Sequence, residues 1–193
     1  GKTHSIARVF DRVCAVLTRL GYLRDDEVTA AGGQLARVYS EVDLLVVESL
    51  RAGIWDSLDA AELAGAVSAL IYERRRPEDT ASNVPAGAVS VAVQAMTRLW
   101  SRLGEVESEQ HLSFLREPDP GFAWAAWRWA GGAPLEQVLG DDPDLTAGDF
   151  VRWCKQLIDL LGQVAAEGSP VRHTARAAVA GVRRGVVAYS SVS

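Results

Sequence analysis

The residues with most scope for chemistry recur at steps of three and four between Asp149 and Val164: Arg152, Lys155, Gln156, Asp159 and Gln163. On a helix that spacing gathers them on one face, opposite an apolar stripe of Phe150, Trp153, Cys154, Leu157, Leu160, Leu161 and Val164. Guanidinium and ammonium groups hold backbone phosphates, and a carboxamide hydrogen-bonds a base or a sugar. The face therefore suits contact with an anionic chain but supplies no bond-breaking group. An ordinary solvated helix has the same pattern, so periodicity alone does not separate the two.

Other candidates carry less. Gly1-Lys2-Thr3 copies the end of a phosphate-binding loop, but the glycine-rich turn and preceding strand that would cradle a phosphate are missing. His4, His111 and His173 stand alone, with no partner at metal-ligand spacing. The acidic pairs Asp25-Asp26, Glu105 with Glu109, and Asp141-Asp142 sit in turns or on polar faces, with no base beside them. Ser49 and Ser68 lie in helical patterns without a nucleophile elbow. Trp124, Trp127 and Trp129 could stack on bases, but in an alanine-rich helix core packing is the stronger reading. Arg74-Arg75-Arg76 closes a helix ahead of Pro77, where basic residues complement the helix dipole. No catalytic residue, metal ligand or cofactor site is assigned in this chain.

Composition bounds the partners. The chain has 193 residues, 20 basic against 25 acidic, and a formal net charge of −5, so any polyanion contact must come from a local patch. Lysine occurs only at positions 2 and 155, which points to a GC-rich coding bias. Cys14 and Cys154 read as free thiols in a reducing compartment. No apolar run reaches the roughly 18 residues of a membrane span, and no leader pattern opens the chain. A cytoplasmic protein with no membrane partner is the expectation.

The elements that must position the basic face are all helical. Ile6 to Leu20 has helical spacing and stops at Gly21; Tyr22 to Val38 reads as a partly extended excursion, with a small wing or tight turn within residues 28–38. Asp59 with Glu62 predicts a capping box for a helix through Leu63, Val67, Leu70 and Ile71. Residues 1–76 form an N-terminal helical part, 77–84 a polar loop, and 85–193 a C-terminal part that includes a long helix over 85–116 and the basic-faced helix over 149–164. Thr146 and Asp149 cap that helix, and Ser169-Pro170 starts the last one. The fold class is all-α, a bundle of about seven or eight helices.

Four stretches resemble a known family. They are Phe10-Asp-Arg-Val-Cys-Ala-Val-Leu-Thr-Arg-Leu-Gly-Tyr-Leu23; Val28-Thr-Ala-Ala-Gly-Gly-Gln-Leu-Ala-Arg-Val38 leading into Glu41-Val-Asp-Leu-Leu-Val-Val-Glu48; Gly53-Ile-Trp-Asp-Ser-Leu58 with the Ala64 to Glu73 helix; and Trp129-Ala-Gly-Gly132 followed by Gly148-Asp-Phe-Val-Arg152 and Arg184-Gly-Val-Val187. In order and spacing they resemble the C-terminal helical (DSHCT-type) domain of Ski2-like and Mtr4-like DExH RNA helicases, in particular the bacterial HelY-like branch. The resemblance implies a non-catalytic accessory domain that packs on two RecA-like motor domains of the same polypeptide. One helix, the ratchet helix, then faces the translocating single-stranded RNA, or DNA. The matching segment is 149–164, so Arg152 and Lys155 inherit the strand-facing role, with Glu48 a further candidate from a facing helix.

Gln156 departs from Mtr4-like relatives, which have a second basic residue there. ATP and Mg are expected in the motor domains of the parent enzyme, not in this chain. Gly1 then reads as a cut from a larger protein and Ser193 as its natural end. The alternative is a protein-interaction module that docks through apolar faces around Trp100 and Trp127 without touching nucleic acid.

Overall fold

Apolar residues at helical spacing over most of the sequence give helices over most of the fold. The computed structural model describes residues 2–25, 27–32, 44–74, 83–111, 115–166 and 168–189, with side chains from Arg8 onward. In chain order these form α1 (Lys2–Arg19), a small hairpin of β1 (Leu23–Arg24) and β2 (Glu27–Val28), α2 (Leu44–Arg51), α3 (Ala60–Ser68) and α4 (Ala88–Glu109). A 3-10 turn (Pro120–Phe122) then leads into α5 (Ala123–Ala130), α6 (Leu135–Gly140), α7 (Ala147–Val164), α8 (Arg172–Val182) and α9 (Gly185–Tyr189). The all-α class holds, and the one sheet among the described residues is the hairpin, in which Leu23 pairs with Val28 and Arg24 with Glu27.

Helix α3 is the hub. Its residues are small, Ala-Ala-Glu-Leu-Ala-Gly-Ala-Val-Ser, and Leu63, Ala64, Ala66 and Val67 are fully buried. Small side chains let α4, α5, α7 and α8 all approach one short helix. At Gly65 a Cβ would stand 3.2 Å from Trp127 Cβ and 3.3 Å from the Ala123 carbonyl. The capping box is formed as expected: Asp59 accepts from the Glu62 N–H at 2.8 Å, and Glu62 accepts from the Asp59 N–H at 3.0 Å. One apolar core runs from Val46 to Val187 and draws on both sides of the 77–84 stretch. A smaller cluster of Leu45, Leu99 and Leu103 takes in Leu20 of the N-terminal part and Trp100.

Several expected boundaries shift for local reasons. The extended piece sits at 23–28, at the start of the 22–38 excursion; Asp25 adopts φ 51 in its turn, and residues 30–32 are already helical. The remainder of that excursion, residues 33–38, and most of the 77–84 loop lie outside the described residues. The helix expected over 85–116 is α4, cut at one end by Gly87 (φ 87) and at the other by His111 (φ 55). Helix α3 ends at Ser68, short of Leu70 and Ile71, and a tight turn follows in which the Tyr72 N–H meets the Ser68 carbonyl. Ser169-Pro170 does not cap the next helix directly. It forms a turn in which Ser169 Oγ accepts from the Val171 N–H at 3.4 Å, and α8 starts at Arg172.

Candidate nucleic-acid interface

Thr146 starts the helix that carries the basic face. Its hydroxyl accepts from the Asp149 N–H at 3.1 Å, and Asp149 places a carboxylate in the first turn, where the helix dipole favours it. Phe150, Cys154, Leu157, Ile158, Leu161 and Val164 are buried and fix the rotation of α7 against α3, α8 and α9. With that face locked, Arg152, Gln156 and Asp159 are exposed and Lys155 and Gln163 are half-buried. Arg152 is held loosely, with its Nη2 3.3 Å from Asp149 Oδ1 and its guanidinium 4.6 Å from the centre of the Trp153 ring. Trp153, read in the sequence as inward-pointing, is half-buried and meets Tyr72 edge-on at 5.1 Å. Arg152, Lys155 and Gln156 thus share one solvent-reaching side of a single rigid helix.

The base of α7 is anchored where the three pieces of the last resemblance-bearing stretch meet. Trp129 is buried, donates from Nε1 to the Val182 carbonyl at 2.8 Å, and packs edge-on against Phe150 at 5.2 Å. Arg184 lies 3.5 Å over the Trp129 ring and donates to two carbonyls, Trp129 O at 2.7 Å and Ala133 O at 2.6 Å. Arg184 thus ties the turn after α5 to the junction of α8 and α9, sharing the Trp129 carbonyl with the Gly132 N–H. Burial lowers the Arg184 guanidinium from its ordinary value. Burial likewise pushes the Cys154 thiol well up, with Arg184 pulling weakly the other way, so Cys154 is an inert core group. Neither the role of Arg184 nor its partners could be read from the sequence, because the contact spans 55 residues.

Glu48 belongs to a different constellation. It lies on α2, where the Tyr22 hydroxyl donates to it and Arg51 pairs with it at 2.8 Å. Arg51 also donates to the Leu20 carbonyl and covers the Tyr22 ring, so the trio staples the first helix–hairpin unit to α2. Burial first, and then the Glu48 carboxylate, hold the Tyr22 hydroxyl well above its ordinary pKa.

The remaining candidates have structural roles. Arg74 makes a two-pronged bond to Asp119, at 2.8 and 3.0 Å, while Arg75 and Arg76 lie outside the described residues. Trp124 donates to Asp141 at 3.0 Å, and Trp127 packs on the core. Trp100 donates to the Leu115 carbonyl at 3.3 Å and packs on the smaller cluster. The apolar faces expected around Trp100 and Trp127 are therefore largely used internally. Among the described residues the large exposed apolar side chains are instead Val9, Phe10, Val28, Val91, Val186 and Tyr189. His111 and His173 are exposed, and the side chain of His4 and those of Lys2 and Thr3 lie outside the description. Among the described residues no group of three His, Cys, Asp or Glu side chains could hold a metal ion. No helix there is long and apolar enough to cross a membrane.

The fold is a helical domain with one basic-faced helix, and the comparisons with known proteins give its family. Residues 25–190 match the model of the DSHCT (NUC185) domain, a C-terminal domain of helicases, and the chain belongs to that family. It is 43% identical over 205 aligned positions to "Probable helicase HelY" of Mycobacterium leprae, covering 98% of this chain and 22% of that protein. It is 42% identical to "Probable helicase HelY" of Mycobacterium tuberculosis, with 98% and 23% covered. A more distant relative is "ATP-dependent RNA helicase mtr4" of Schizosaccharomyces pombe, 25% identical over 165 positions, with 82% and 14% covered. The chain thus spans about a fifth of the length of the curated HelY relatives it matches.

Proposed function

We propose that this domain is the C-terminal accessory part of a cytoplasmic ATP-dependent RNA helicase, where it packs on RecA-like motor domains of the same polypeptide and turns α7 toward the translocating strand. The observation that carries the proposal is the α7 face, on which Arg152, Lys155 and Gln156 reach solvent while the opposite side is locked in the core. ATP and Mg belong to the motor domains in this reading, which open and close as ATP is bound and hydrolysed. The bundle does no chemistry. It acts as a wall that holds the strand between steps, with Arg152 and Lys155 on phosphates and Gln156 on a phosphate, sugar or base edge.

Release of Arg152 from Asp149 costs little, because an exposed pair of this kind contributes at most about 1 kcal/mol. The guanidinium is therefore free to exchange a carboxylate for a phosphate. Glu48 enters as a weaker strand-facing residue. Tyr22 and Arg51 both bond its Oε1, which leaves Oε2 as the oxygen to accept from a sugar hydroxyl.

The test is the double charge reversal Arg152→Glu with Lys155→Glu in the full parent enzyme. It should lower RNA-stimulated ATP hydrolysis and unwinding while leaving the helical content of the domain unchanged. Normal unwinding by that variant would remove the strand-facing role and leave the domain as a docking module.

A further inference from the structure

From Gly168 onward the sequence holds four of its 20 basic residues and none of its 25 acidic ones. Helix α8 lies in this stretch and is packed on one side, where Ala175, Ala178 and Val182 are buried against α3, α5 and α7. The other side exposes His173, Arg176, Ala177, Ala180 and Arg183, at steps that keep them on one face, with Arg172 half-buried beside them. Among the described residues none of Arg172, Arg176 and Arg183 is in an ion pair, and the Arg172 Nε is buried without a hydrogen-bond partner. Arg172 and His173 also stand in the first turn of α8, where the helix dipole disfavours cations and no side chain caps the end. Arg172 and Arg176, one turn apart, repel each other. These local costs have no ion pair within the described residues to offset them. Arg184, the remaining arginine of the run, turns inward over Trp129 and is no part of the face.

We infer that the outer face of α8 is a second contact surface for nucleic-acid phosphates, separate from the α7 face, with Arg176 and Arg183 holding phosphates and Arg172 and His173 beside them. The inference rests on the proposed function, in that it takes the partner to be the strand a helicase handles. Arg176 and Arg183 stand roughly 10 Å apart along the helix, the length of about three stacked nucleotides. Each guanidinium fork matches two phosphate oxygens. Tyr189, 82% exposed at the end of α9, adds a ring on which a base can stack. An acidic protein surface is the competing partner, and the face is poorly made for it. Between the arginines lie only Ala177 and Ala180, with no large apolar side chain to form the buried centre of a protein interface. Phosphate contact needs no such centre.

The test measures binding of a short single-stranded RNA to the purified full-length parent across a series of KCl concentrations. In the double variant Arg176→Gln with Arg183→Gln, the slope of log affinity against log salt should flatten by about 1.4, two contacts at about 0.7 each. Arg176→Lys with Arg183→Lys keeps the charge and should keep the slope. Arg98→Gln with Arg102→Gln removes the same charge from the exposed side of α4, where Glu105 and Glu109 follow, and should also leave the slope at the parent value. An unchanged slope in the α8 glutamine variant would overturn the inference and leave an acidic protein surface as the partner of that face. Equal flattening in the α4 variant would overturn it too, since bulk charge alone would then account for the effect, as would flattening in the lysine variant. Strand contact by α7 is scored separately, by the Arg152/Lys155 reversal and by RNA crosslinks to 149–164, so either claim can fail while the other stands.

Discussion

Trp129 is held from three directions: by the Val182 carbonyl, by the edge of Phe150 and by the Arg184 guanidinium over its ring. A planar fork can bridge two carbonyls while stacking on an indole, and an ammonium on a flexible stem cannot. Arg184→Lys should therefore destabilise the domain by about 1–3 kcal/mol, despite keeping the charge. Thermal unfolding should show a drop of about 2–4 °C for each kcal/mol lost, and an unchanged midpoint would count against the anchor.

The pair Arg74–Asp119 gives a second prediction at the residue scale. Burial would raise the Asp119 carboxyl, but the Arg74 guanidinium and the Gly121 N–H outweigh it and hold the group below the usual carboxylate range. A carboxyl depressed in the fold stabilises it above the ordinary carboxylate pKa, and that contribution is lost as pH falls through the folded value. Asp119→Asn should accordingly be less stable than the parent at neutral pH. The gap should close on acidification below about pH 4, read from denaturant midpoints across a pH series.

Among elements, two glycines one helix apart predict opposite outcomes. At Gly181 in α8 a Cβ would stand 2.9 Å from the Ala130 carbonyl oxygen, which is backbone and cannot swing away. Gly181→Ala should push α8 off α5 and cost about 1–3 kcal/mol. Gly162, on the exposed side of α7, has nothing within 4 Å of such a Cβ. There Gly162→Ala should stabilise the helix by up to about 1 kcal/mol, through the lower entropy of the unfolded chain. Thermal unfolding of the two variants side by side checks both signs.

Elements also show where the sequence was legible. Asp59 with Glu62 and Thr146 with Asp149 are local devices, so the starts of α3 and α7 could be placed by inspection, as could the inward row from Phe150 to Val164. The hairpin at 23–28 and the late start of α8 depend on backbone turns that no side-chain period marks. Trp153 followed the apolar period yet sits half-out, because Arg152 covers it and Tyr72 supports it from the side. For Glu48 the strand-facing expectation comes from the resemblance alone; its tie to Arg51 is local to α2, but its tie to Tyr22 joins separate parts of the chain and could not be read from the sequence.

At the scale of the whole molecule, the proposed function has an acidic domain touch a polyanion through one small basic face. Two phosphate contacts to a single strand contribute a slope of about −1.4 to the plot of log affinity against log salt. Neutralising Arg152 and Lys155 in the parent should flatten the salt dependence by about that amount, and sequence preference should be largely kept. The most direct test is photo-crosslinking of a short single-stranded RNA to the complete ATPase-containing parent, with peptide mapping and the Arg152/Lys155 charge reversal as control. Crosslinks on 149–164 that disappear in the control are the expected result, whereas crosslinks confined to the motor domains would contradict a strand-facing α7.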